Sequence, residues 1–340
     1  LFITAVTGLI LILIYIGIQE GGAGEQISAG TVPSFTLEEL KEAMESGRVH
    51  PLVLELISLL VVIFITFFIA GLILNLAGLI RKNWRVFAPG FPPRVEWGIW
   101  PVVKVLVYFI FLLFFFQILQ SVIMKELKGE VSSSSPSLLI FNAIFQDLLI
   151  IILVCGFLRK FNFSRSVFPI NLHHPYPSFR QGIRGYVFFF PVLISLILIS
   201  YIASRLLGRG FDSHPLVEPL IASDNPFLLA GLFAIAIGLA PLVEEIFFRG
   251  FLYPALKKKT SVPVAILLSA TLFSTLHFSV SGWLPILGLG ALLAYSYEKT
   301  GNLLVPIIIH ALHNFLFLSY AVLAHQVAEV FSEKAIFVLQ

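Results

Sequence analysis

A small set of polar residues in the last third of the chain stands where a run of apolar ones would be expected. Glu244-Glu245-Ile246-Phe247-Phe248-Arg249 follows Pro241, and His277 closes Phe273-Ser274-Thr275-Leu276-His277. His310, His313 and Asn314 interrupt a stretch of Ile, Leu and Phe. On a helix Glu245 and Arg249 are i,i+4 neighbours and can pair, which offsets part of the cost of burying them. Glu244 points about 100° away and has no counter-ion of its own. A lone carboxylate in an apolar setting suits general-base work. The plain alternative is a structural ion-pair cluster at a kink made by Pro241. Offsets of 0, +3 and +4 put His310, His313 and Asn314 on one helix face, which packing alone does not explain.

A carboxylate, two imidazoles and an amide around water suit hydrolysis. Glu244 would deprotonate the water, and His277 would orient it or share the proton. His310 and Asn314 would donate hydrogen bonds to a tetrahedral oxyanion. Other intramembrane peptidase chemistries lack their residues. No His-Glu-x-x-His is present, so the usual two-histidine zinc helix is missing. Gly288-Leu289-Gly290 is followed by Ala291 and not by Asp, and Ser281-Gly282 has no Gly two residues before the serine.

These residues need a membrane scaffold to hold them. The 340-residue chain is 58% hydrophobic and 12% charged, with mean hydropathy +0.96. Soluble domains carry about 25% charged residues, so the composition implies an integral membrane protein. A net charge of +3 excludes a nucleic-acid footprint. A single cysteine, Cys155, excludes an internal disulfide or a multi-cysteine metal site.

Apolar runs mark spans at 1–18, 51–80, 99–124, 137–157, 185–204, 226–243 (or on to 256), 261–278, 283–297 and 303–320. The expected fold is an all-α polytopic helical bundle of eight or nine transmembrane helices, its site in an intramembrane cavity. The alternating ten-residue segments of a β-barrel are absent. With Leu at position 1 the native start is expected upstream, and 1–18, lacking a basic leader, reads as a membrane helix rather than a signal peptide.

Loops 81–98, 158–184, 257–260 and 298–302 carry 13 Lys/Arg against 2 acids; the remaining loops carry 7 against 13. The positive-inside rule then puts the first set and the amino terminus in the cytoplasm. The outer loop 19–50 offers a short helix with a Thr36–Glu39 capping box. His173-His174 lies among prolines in a connector and reads as a solvated pair.

Six ionisable residues fall inside these spans: Glu55, Lys104, Asp147, Glu244, Glu245 and Arg249. Glu55 and Lys104 can snorkel to the interface, and isolated Asp147 reads as a helix-to-helix hydrogen-bonding residue. Helical rise puts Glu244, His277, His310 and Asn314 within a band of about 12 Å near mid-membrane.

The motifs Glu-Glu-x-x-x-Arg (Glu244, Glu245, Arg249), Phe-x-x-x-His (Phe273, His277) and His-x-x-x-Asn (His310, Asn314), in this order, resemble the CPBP family. These are the CAAX-prenyl-protease and bacteriocin-processing membrane proteins, also called the Abi or Rce1-like family. Phe-Phe-Arg-Gly-Phe-Leu at 247–252 and the stretch from Gly288 to Thr300 are similar too, and the likeness covers residues 226–320.

The resemblance implies an intramembrane endopeptidase acting on membrane-bound, lipidated or leader peptides. It implies water activation by Glu244 and His277 and oxyanion stabilisation by His310 and Asn314. Glu245 and Arg249 would support them, and His313, outside the family motif, is a supporting candidate only. No cofactor is assured; zinc would be held by Glu244, His277 and His310. The chain divides into an accessory membrane region, 1–225, with about five helices, a catalytic core, 226–320, and a tail, 321–340. Two other readings stay open. One is a non-catalytic immunity or adaptor protein that keeps the motif for binding; the other is a transporter using Glu244, Glu245 and Asp147 as a proton relay.

Overall fold

The computed structural model describes residues 50–82, 86–126, 136–159, 168–172, 175–208 and 225–338. Span 1–18, the outer loop up to residue 49 and His173-His174 lie outside the described residues.

Every regular element among the described residues is helical: α1 (Pro51–Arg81), α2 (Ile99–Glu126), α3 (Pro136–Leu158) and α4 (Pro175–Leu206), followed by α5 (Pro226–Lys257), α6 (Val262–Thr275), α7 (Trp283–Thr300) and α8 (Leu304–Val338). The all-α membrane bundle is as expected, and the protein is an integral, multi-pass membrane protein. The count is not as expected. Six helices among the described residues, α1 to α5 and α8, are long and apolar enough to cross a membrane, where eight or nine were expected.

Of the nine expected spans, 1–18 lies outside the described residues, and the other two missing ones are the α6–α7 hairpin. The 14 residues of α6 rise about 21 Å, short of a hydrocarbon core about 30 Å thick. The last two turns of α7 carry Ser296, Glu298, Lys299 and Thr300, too polar for a span. Two helices, α4 and α8, are also longer than their apolar runs indicated; α8 continues from the expected end at 320 through the expected tail to Val338. α4 starts ten residues early because Pro175 and Pro177 sit in its first turn, where proline is tolerated. α5 takes the longer of its two expected bounds, reaching Lys257 because the helix absorbs Pro241 and Pro254.

It absorbs them with two π-helical turns, Ile235–Leu239 and Ile246–Leu252. Each adds one residue to a turn and ends two residues before a proline. Glu244 and Glu245 lie on the short α-helical piece, Ala240–Glu245, between them.

α4 is the central post: Tyr186, Phe190 and Leu193 are fully buried. Gly182 lets Ile308 of α8 approach so closely that a Cβ would collide with it, and Gly71 of α1 does the same against Val187 and Pro191. α2 and α3 stand at the edge. Phe111, Phe114 and Ile152 are exposed there, as befits helices that meet lipid. The segment from 86 to 98 straps the bundle end: the Trp97 indole donates to the Phe251 carbonyl, and Lys258 Nζ donates to the Glu96 carbonyl.

Candidate active site

α5 presents two adjacent carboxylates in different settings. Glu245 is fully buried and saturated on one oxygen: Oε1 accepts from Arg249 Nη1 at 2.8 Å and from His310 Nδ1 at 3.0 Å. Arg249, also fully buried, donates from Nη2 to the Gly290 carbonyl of α7 at 3.1 Å and stacks over the Phe273 ring at 4.5 Å. Gly290 must be small for this, since a Cβ would press on Ala270 and Phe273. The expected i,i+4 pair therefore forms, and it bolts α5, α7 and α8 together.

Glu244 is treated differently. Its side chain is 29% exposed, yet Oε2 is covered and has no hydrogen-bond partner among the described residues. Two imidazole nitrogens face that oxygen, His277 Nε2 at 3.9 Å and His310 Nε2 at 3.9 Å. Three helices that the sequence separates by some thirty residues each thus deliver one group to a single point.

The hydrogen bonds fix the tautomers of both histidines. His277 Nδ1 lies 2.7 Å from the Phe273 carbonyl, which can only accept, so Nδ1 carries the hydrogen. His310 Nδ1 donates to the Glu245 carboxylate by the same logic. Both Nε2 atoms are left as acceptors aimed at Glu244. His277 sits two residues past the end of α6, its N–H bonded to the Ser274 carbonyl, and the chain then folds back through Phe278 at φ 50. The turn closes on itself: Ser274 donates from Oγ to the Trp283 carbonyl, and Gly282 N–H donates to Ser279 Oγ. Backbone so deep in a membrane needs such internal partners.

Two expectations change at α8. Asn314 is on the same face as His310, but its Nδ2 donates to the Ala236 carbonyl of α5 at 2.8 Å. His313 does not share that face. It turns to α4, with Nδ1 3.2 Å from the Tyr186 hydroxyl and its ring 4.6 Å from Phe317. An offset of +3 falls about 60° short of a full turn and +4 about 40° beyond, so the two residues point to opposite sides of His310. Gly290, Phe273 and Ala236 support the site through backbone carbonyls, a role that no side-chain pattern announces.

The donor set expected for zinc, Glu244, His277 and His310, is chemically suitable, each imidazole having its Nδ1 hydrogen bonded elsewhere. Among the described residues, however, no three His, Cys, Asp or Glu side chains form a group that could hold a metal ion.

Residues 226–316 match the family model described as type II CAAX prenyl endopeptidase Rce1-like, so the likeness drawn from the motifs is borne out over that stretch. The putative membrane peptidase YdiL of Bacillus subtilis (strain 168) is 34% identical over 74 residues, 22% of this chain and 30% of that protein. The membrane-embedded CAAX protease MroQ of Staphylococcus aureus (strain USA300) is 29% identical over 154 residues, 43% of this chain and 61% of that protein. The chain thus spans less than two thirds of the length of either relative. No solved structure matches it.

Proposed function

We propose that the protein is an intramembrane endopeptidase that hydrolyses peptide bonds of membrane-associated or lipidated peptides, with Glu244 activating the water. The observation that carries this reading is the convergence of His277 Nε2 and His310 Nε2 on the covered, unpartnered Glu244 Oε2, each at 3.9 Å. That separation suits one shared water. The names of the two relatives and the matched family support the same reaction class.

In this reading the water donates one hydrogen to Glu244 and the other to an imidazole Nε2, leaving an oxygen lone pair for the peptide carbonyl carbon. Glu244 takes the proton as the new C–O bond forms. It then passes the proton to the departing nitrogen as the C–N bond breaks. His310, backed by the Glu245 carboxylate, accepts the second hydrogen, takes it up as the C–O bond forms, donates it as a hydrogen bond to the oxyanion and gives it to the amine product as the carboxylate is left behind. His277 Nε2, on the other side of the water, can share that hydrogen before attack. The basic loops 81–98 and 257–260 would face the cytoplasm, with substrates of the CAAX or leader type.

The test compares membrane peptides by mass spectrometry from cells carrying the wild-type protein or Glu244→Ala. Cleaved peptides present only with the wild type are expected. Equal cleavage by the two purified proteins overturns the assignment. Biological activity that survives replacement of Glu244, His277, His310 and Asn314 together would point instead to a binding role.

A further inference from the structure

Pro241 and Asn314 form a pair across α5 and α8 that nothing in the motif describes. In the first π-helical turn of α5 the Ala240 N–H bonds to the Ile235 carbonyl, an i→i−5 step. The next step of that pattern would run from residue 241 to the carbonyl of Ala236. Residue 241 is proline and has no N–H to give. The Asn314 amide takes up the duty, donating from Nδ2 to the Ala236 carbonyl at 2.8 Å.

One turn earlier on α8, His310 is tied to Glu245 at 3.0 Å. The two helices are therefore pinned at two points on either side of Glu244. One pin holds α5 before its proline and the other just after the general base.

We infer that Asn314 is a positioning residue: it replaces the hydrogen bond that Pro241 cannot make, and so holds Glu244 in reach of the His310 imidazole. Resting on the peptidase reading, this assigns to Asn314 a task other than donation to the oxyanion. With the pin removed, the early part of α5 slides against α8, and Glu244 leaves its place beside His310. A shift of 1 Å at a catalytic group costs on the order of 10²-fold in rate.

The test is a double-mutant cycle in detergent micelles on the full chain: wild type, Asn314→Leu, Pro241→Ala and both together. An internally quenched farnesylated Cys-a-a-X peptide serves as the probe, and thermal melting is followed in parallel. Pro241→Ala gives position 241 an N–H of its own. If Asn314 acts through the carbonyl, Asn314→Leu lowers kcat on the order of 10²-fold with KM unchanged in the Pro241 background, and far less in the Pro241→Ala background. Its melting penalty shrinks in the same way. An equal kcat loss in both backgrounds, with Asn314→Leu still folded, overturns the inference and returns Asn314 to the oxyanion. If the wild type does not cleave any peptide, the peptidase reading fails. The melting cycle still decides whether Asn314 and Pro241 are coupled.

Discussion

Two joints in this bundle pair a proline in one membrane helix with an asparagine from another, and they differ in the carbonyl that the asparagine reaches and in the charge that follows. In α4, Pro191 leaves the Val187 carbonyl without its N–H partner, and Asn75 on the neighbouring α1 donates one residue further on, to the Phe188 carbonyl at 2.8 Å, and to its own helix at Gly71. In α5, Pro241 interrupts the ladder, and Asn314 on α8 donates to the Ala236 carbonyl, also at 2.8 Å. Each joint is a proline in one membrane helix with an asparagine from another at a nearby carbonyl. No carboxylate follows the α1–α4 joint: Val192, Leu193, Ile194 and Ser195 come next along α4. The α5–α8 joint is followed within four residues by Glu244 and Glu245. An asparagine at a proline break is thus a way of holding a bent helix; what stands next to the bend decides whether it is also machinery.

The contrast can be broken or sharpened in several places. The largest effect belongs to the charged joint: Glu244→Gln should lower peptide cleavage by about 10²–10⁴-fold, the usual worth of a general base, with melting unchanged. A variant as active as the wild type would remove the distinction between the joints. Next comes Arg249→Met, which leaves Glu245 buried without its cation and should cost about 3–5 kcal/mol of stability, read as a lower melting temperature or lost insertion. Asn75→Leu is the control for Asn314→Leu. It should cost about 0.6 kcal/mol, the average for a hydrogen bond between membrane helices, and leave the cleavage rate alone. A large rate loss would mean that the apolar joint also positions the site. Smallest is Tyr186→Phe, which removes the partner of His313, also for about 0.6 kcal/mol. If it changed kcat, His313 would belong with the catalytic groups after all.

Much of this was legible in the sequence because charge is scarce. In a chain so apolar, Glu244, Glu245 and Arg249 could only be paired or functional, and helical rise put His277 and His310 near the level of Glu244, to which both come within 3.9 Å. The pairing of Glu245 with Arg249 followed from i,i+4 spacing alone. What stayed hidden was everything the backbone contributes. The π-helical turns of α5 leave no residue pattern, so the sequence offered a kink at Pro241 and two ends for the span, 243 or 256, and could not choose between them. Asn314 could be assigned to a face but not to the Ala236 carbonyl, since that acceptor is free only because residue 241 lacks an N–H. His313 was grouped with its neighbours because three and four residues both approximate a turn, although they err in opposite directions. The extra spans came from judging α6 and α7 by apolar content, when length and the polar end of α7 exclude them as full crossings.

The shortness of α6 has a further consequence. A helix that rises about 21 Å where the hydrocarbon measures about 30 Å leaves its hairpin tip in hydrophobic mismatch, which lipids relieve by thinning around it. His277 stands at that tip. Local thinning would bring the aqueous boundary toward His277 and Glu244. On the peptidase reading, cleavage would then depend on membrane thickness, thin bilayers delivering water to Glu244 more readily than thick ones.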